Sequence, residues 1–290
     1  MSLYSYILDP FVSYGFMRRA LTACTALSVG GAPLGVFLVL RRMALVGDAM
    51  SHAILPGASL AFLFFGLSLW PMTLGGLLAG LLVALVAGVV TRFTQLKEDA
   101  SFTGAYLLSL ALGVLVISIK GSTVDLMHVL FGNVLAVDNN SLRLVTGIAT
   151  FSALSLAVIY RSLIVECFDP GFMKAVDGKG AWVHQFFLML VVLNLVAAFQ
   201  ALGTMMALGI MVLPAIAARF WTNNIDGTIA LSIAIAFASS FAGLLLSYHA
   251  NLPSGPAIVL TAGLVYVFSV LAGRHGSIRS YLFPPRHFAH

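Results

Sequence analysis

Long apolar runs separated by short polar clusters organise this chain. Residues 20–40, 53–70, 72–91, 100–119, 144–160, 185–218, 227–247 and 253–273 carry no Asp, Glu, Lys or Arg. A helix crossing the hydrocarbon core of a bilayer needs about 20 apolar residues, and most of these runs have that length. The run 185–218 is too long for one crossing at about 1.5 Å of rise per residue. Gly203, Gly209 and Pro214 offer places to turn, so two crossings meeting near Leu202 and Gly203 are expected. Residues 124–137 are too short for a span and carry Asp125 and His128, which predicts a half-helix dipping into one face. The expected fold is an all-α polytopic membrane protein with nine transmembrane helices, eight or ten being the alternatives. Its 290 residues are expected to form a single transmembrane domain. The first apolar run is itself of spanning length and more follow, so no cleaved signal peptide is expected.

Composition agrees. The chain is 60% hydrophobic and 9% charged, with a mean hydropathy of +1.03, far from soluble composition. The basic residues then set an orientation. Nine crossings put Arg41, Arg42, Arg92, Lys97, Arg161, Lys174, Lys179, Arg219, Arg274, Arg279 and Arg286 on one side, and only Arg18, Arg19, Lys120 and Arg143 on the other. The positive-inside rule places the richer side in the cytoplasm, with the N-terminus outside and residues 274–290 as a cytoplasmic basic tail. The net charge of +5 is therefore a topology signal. Binding of nucleic acid would need a basic face in water, and no aqueous domain is evident to carry one.

Candidate chemistry concentrates in residues 41–57, RRMALVGDAMSHAILPG. Asp48 and His52 are four apart, so on a helix they share one face and can touch one ion. An ionisable pair at membrane depth is costly unless it is paired, hydrated or used. The alternative is structural, with Asp48 capping a helix that begins near Ala49. His249 and His128, near Asp125, are further candidate metal contacts on the outer side; both also fit the simpler role of interfacial polar residues. His184 is expected at the headgroups, and His275, His287 and His290 in a flexible tail. The outward Arg18 and Arg19 fit either docking to an acidic partner or anchoring to headgroups. Cys24 and Cys167 form no Cys-x-x-Cys pattern and imply no thiolate zinc site. The longest polar insertion is residues 161–180, where Asp169 as N-cap, Pro170 at the first helical position and Gly178 as stop predict a short interfacial helix.

Residues 41–57 resemble the signature region of permease subunits from bacterial metal-ion ABC importers, which take up zinc, manganese or iron. The blocks LFGNVLAV (130–137), LGTMMALGIMVLPA (202–215) and LPSGPAIVL (252–260) are similar to theirs in the same order. The resemblance implies a type II importer permease in the bacterial cytoplasmic membrane. Two such subunits, identical or homologous, pair around a central pathway. Cytosolic ABC ATPases bind below, and an extracytoplasmic binding protein delivers metal from above. Residues 166–180 match the place of the coupling helix in such permeases, which makes Glu166, Asp169, Phe172, Met173 and Val176 the expected ATPase contacts. No cofactor is expected to stay bound; the divalent ion is cargo. The chain has no Gly-x-x-x-x-Gly-Lys-Ser/Thr phosphate loop, so a separate polypeptide must hydrolyse ATP.

A carboxylate with a neutral imidazole suits zinc, manganese and ferrous iron. Two ligands hold an ion weakly, whereas a symmetric dimer offers two acids and two imidazoles. Nitrogen ligation puts zinc first and manganese next. Protonating His52 would remove its ligand lone pair, so transport should weaken in acid. A stand-alone secondary transporter or channel would need no ATPase, but no internal repeat is visible to favour one. An intramembrane metalloenzyme lacks a His-Glu-x-x-His pair.

Overall fold

The computed structural model describes residues 3–66, 68–119, 137–169, 172 and 180–282. Among the described residues the fold is all helix. The helices are α1 (Leu3–Ser13), α2 (Gly15–Leu40), α3 (Ala44–Phe65), α4 (Leu69–Phe93), α5 (Glu98–Ile119) and α6 (Asn139–Phe168), then α7 (Gly180–Leu202), α8 (Thr204–Arg219), α9 (Ile225–Ala250), α10 (Ser254–Ala272) and the short α11 (Ile278–Leu282). Seven of them, α2, α3, α4, α6, α7, α9 and α10, are long and apolar enough to cross a membrane, and α8 contains a shorter apolar helix. The expected half-helix, with Asp125 and His128, lies outside the described residues.

The boundary between α7 and α8 falls where the sequence places it. Leu202 ends one helix, Gly203 takes φ +87, and Thr204 begins the next. That backbone region is open to glycine and costly for most other residues. Two other boundaries differ from expectation. α6 does not stop near Tyr160 but runs on to Phe168, because nothing from 161 to 168 breaks a helix and its inward face stays filled, with Leu156, Leu163 and Glu166 buried. α3 begins at Ala44, well before the apolar run. Arg42 in the left-handed region (φ 59) lets Met43 N–H donate to the Leu38 carbonyl and Arg42 N–H to that of Val39, closing α2 and allowing a new helix at once.

α2 is the axis of the bundle. Of its most apolar window 72% is buried, against 28% for α6 and α10, and it packs on α6, α8 and α9. A second group, α3 with α4 and α5, joins the first through α7. Outside, Leu74, Leu78, Leu82, Leu85 and Val89 form an exposed apolar stripe along α4, suited to lipid.

Small residues set the contacts. A Cβ built on Gly57 would lie 2.1 Å from the Gly75 carbonyl oxygen and 2.6 Å from Ala79 Cβ, so α3 and α4 touch backbone to backbone. Such small-residue spacings (Gly57 and Ala61, Gly75 and Ala79) are how membrane helices approach closely without help from water. α2 and α8 meet in the same way at Gly35, where an added Cβ would stand 1.8 Å from the Met211 carbonyl oxygen. Gly31, one turn away on α2, would meet nothing within 4 Å. Gly35→Ala is expected to cost about 1–3 kcal/mol because backbone has to move, and Gly31→Ala less than about 0.5 kcal/mol. Denaturant titration of the protein in mixed micelles measures both.

Candidate metal-transit site

Because α3 starts at Ala44 with Met43 before it, Asp48 is a second-turn residue and cannot cap the helix. It stands about 6 Å along the axis from Ala44 at about 1.5 Å per residue. His52 follows one turn later, its Nε2 3.7 Å from Asp48 Oδ1. Their side chains remain 51% and 38% exposed (Asp48 and His52), although their neighbours Ala49, Met50, Ser51 and Ala53 are buried. The pair therefore opens away from the subunit's core. Tyr106 of α5 lies roughly parallel to the imidazole, centroids 6.1 Å apart, and limits how the ring can turn. Among the described residues no group of three His, Cys, Asp or Glu side chains could hold a metal ion. One subunit thus presents two ligands on one face, with room for more from elsewhere.

A second polar cluster was not legible as a unit in the sequence. It joins four helix ends: Arg41 closing α2, Glu98 opening α5, Glu166 near the end of α6 and His184 near the start of α7. Arg41 Nη2 lies 3.4 Å from Glu166 Oε1, and His184 Nε2 lies 2.7 Å from Glu98 Oε1. His184 Nδ1 is 3.8 Å from Glu166 Oε1. Phe187 of α7 lies under the Arg41 guanidinium, with Cζ 6.0 Å from the ring centroid. Glu166, expected in a polar loop, is thus a buried helical residue. His184, expected at the headgroups, is enclosed at 19% side-chain exposure. The signal available beforehand was that all four residues fall on one side of the nine-crossing scheme.

Asp169 Oδ1 accepts the backbone N–H of Phe172 at 2.9 Å, the bond an N-cap makes, while the interfacial helix expected to follow it lies outside the described residues. Phe172 is exposed, whereas Met173 and Val176 lie outside the described residues. At the opposite end of α2, Arg19 Nε donates to the Val137 carbonyl at 2.9 Å, while Arg18 is exposed. Arg19 thus bonds the backbone just before α6, and of the two arginines Arg18 is the more exposed. His249 sits in the last turn of α9, edge-on to Tyr248, whose ring approaches Tyr14 just before α2. That is the end of the bundle away from the α2–α3 turn, so the fold does not bring His249 to Asp48 and His52. Outside the apolar segments, hydrogen bonds from Ser141 hold the Asp138 carboxyl below its ordinary range, where it caps α6.

The ABC 3 transport family profile matches residues 13–273. The chain belongs to the ABC 3 transport family. It is similar to the manganese transport system membrane protein MntC of Halalkalibacterium halodurans, 33% identical over 93% of this chain and 91% of the relative. It is also similar to the chelated iron transport system membrane protein YfeD of Yersinia pestis, 30% identical over 93% and 89%. Among solved structures it resembles PsaBC from Streptococcus pneumoniae in complex with Fab, with a TM-score of 0.81 and 30% identity over 93% of this chain and 96% of that one. The type II importer fold implied by residues 41–57 is the fold it adopts. An ABC 3 permease is a multi-pass transport subunit with no ATPase of its own; the nucleotide site is on separate subunits, in keeping with the missing phosphate loop.

In this ABC 3 permease, Asp48→Asn or His52→Gln is expected to weaken divalent-cation binding by the purified protein at least about tenfold, the scale of one lost ligand at 1.4 kcal/mol. Calorimetric titration with manganese reads the change, and circular dichroism checks that helix content is kept. An unaltered isotherm would remove the pair from the metal's path.

Proposed function

We propose that this chain is the membrane permease of an ATP-driven importer of divalent transition-metal ions, with manganese the first cargo and ferrous iron the second. The observation that carries the reading is the Asp48–His52 pair, half exposed on one face of α3 with no third ligand beside it among the described residues. A second copy of the chain completes the set with its own acid and imidazole, and an isologous contact supplies that symmetry. The resulting oxygen and nitrogen set binds a divalent ion well enough to admit it and loosely enough to release it.

The order of metals differs from the zinc preference of the sequence reading. The relatives compared are named for manganese and chelated iron, and carboxylate ligation suits manganese. The remaining assignments follow from the type II importer reading. Nine crossings, α2 to α10, put the N-terminus outside and the C-terminus in the cytoplasm of a bacterial inner membrane. The segment between Asp169 and Gly180 meets the ATPase, with Phe172 as an exposed contact and Met173 and Val176 as further ones. Arg18 faces the metal-delivering binding protein. The placement of Arg41, Glu98, Glu166 and His184 at one end of the bundle, and of Arg19, Tyr14 and Tyr248 at the other, supports this alternation of helix directions.

The permease, reconstituted with its ATPase and binding protein in liposomes, is expected to accumulate manganese only with ATP, faster than zinc, and to lose at least about nine-tenths of uptake in Asp48→Ala or His52→Ala. Losses of that size correspond to about 1.4 kcal/mol in the limiting step. Uptake by the permease alone without ATP would point to a secondary transporter instead.

A further inference from the structure

We propose that the Arg41–Glu166 pair, backed by His184 and Glu98, is the mechanical tie through which the ATPase-facing segment moves the metal pair. This rests on the proposed roles of the segment between Asp169 and Gly180 and of Asp48 and His52, and adds the residues that join them.

The two stems of that segment are the end of α6 and the start of α7, and each places one side chain in the cluster: Glu166, three residues before Asp169, and His184, four residues after Gly180. The other two members lead directly to the metal pair. Arg41 is the C-cap of α2 and is followed within three residues by the first residue of α3, which carries Asp48 and His52. Glu98 begins α5, which carries Tyr106 against the His52 ring. Glu166 thus grips the turn before α3 through Arg41 at 3.4 Å, while His184 grips α5 through Glu98 at 2.7 Å. Each wall of the metal pair is thus tied to one of the two stems.

The cluster is poorly made for stability alone. Arg41 and Glu166 side chains are 13% and 7% exposed, and burying such a pair costs about as much as the pairing returns. Arg41 Nη1, Glu166 Oε2 and His184 Nδ1 are buried with no hydrogen-bond partner among the described residues. Glu166 Oε1 faces Arg41 Nη2 at 3.4 Å and, on its other side, His184 Nδ1 at 3.8 Å. A carboxylate with unused capacity between a guanidinium and an imidazole has a second arrangement within reach, in which Glu166 turns from Arg41 to His184 when the ring carries a proton on Nδ1 as well as on Nε2. A shift of one stem selects between the two, and releasing Arg41 frees the turn that positions α3. The guanidinium also excludes a metal ion from this cluster, which makes it a lever and not a second metal station. Glu166, Arg41, His184 and Glu98 are accordingly positioning residues.

The test is the number of metal ions moved per ATP hydrolysed, measured on the complete importer in liposomes. Glu166→Gln keeps shape and removes the charge that holds Arg41. The expected result is ATP hydrolysis within about twofold of the unaltered importer, manganese affinity of the permease unchanged, and metal moved per ATP reduced at least about tenfold, an energy scale of one lost charge contact. A normal ratio, or uptake and hydrolysis falling together, overturns the proposal. Arg41→Lys, which keeps the charge but loses the fork, is the second variant should Glu166→Gln fail to assemble; a several-fold lower ratio is expected, and a normal one overturns the tie. Asp48→Ala runs in parallel. If that variant transports normally, the site reading fails; if it is inactive while Glu166→Gln keeps a normal ratio, only the tie fails.

Discussion

Inside a bilayer no water is present to accept a backbone hydrogen bond, so each polar group of the main chain must find its partner within the protein. That constraint produces the all-helical fold. It also decides how helices meet, because lipid is as apolar as leucine and gives them no hydrophobic reason to associate. Close van der Waals approach has to serve instead. The glycines at 35, 57 and 75 are among the places where two backbones come within contact, and α2 is held by such approaches at Gly30 against α6 and Gly35 against α8. The breaks obey the same rule: at Arg42 and Gly203 a left-handed residue turns the chain while the freed carbonyls are bonded by the next amides.

Against that background, the ionisable side chains are exceptions that need a reason. They fall into two kinds. Asp48 and His52 are incompletely surrounded, open toward space outside the subunit core and, among the described residues, shy of the ligands a metal needs. Arg41, Glu166 and His184 are the reverse, enclosed by their own subunit, with the partly exposed Glu98 bonded to His184 at their edge. An open pair suits cargo that must arrive and leave, and a closed cluster suits force carried between helices. The two are adjacent in the chain, since Arg41 stands seven residues before Asp48.

Much of this was legible from residue order. Charge-free runs gave the helices, Gly203 the break inside residues 185–218, and the Asp48–His52 spacing a shared helix face. What escaped was where polar helical ends stop. Arg161 to Phe168 contains charge, so it looked like loop, yet Leu163 and Glu166 lie on one buried face and continue α6. Likewise Arg41 and Arg42 looked like a boundary far from the next helix, whereas the left-handed Arg42 lets α3 start two residues later. The N-terminal α1, docked by the stacking of Phe11 on Phe241 at 5.0 Å, had too little apolar length to stand out.

Hydrophobicity and spacing are local properties, so the amino-acid sequence by itself determined that the chain crosses a membrane repeatedly, where its long helix pair divides, and which acid and imidazole share a face. Partnership between residues more than a hundred positions apart is not local. Only the tertiary structure decided that Glu166 faces Arg41 and not water, that Arg19 holds Val137, and that His249 stays at the far end from Asp48. Those choices depend on which helices pack, and packing in lipid is settled by close contacts such as Gly35 against Met211 that no single run of residues announces.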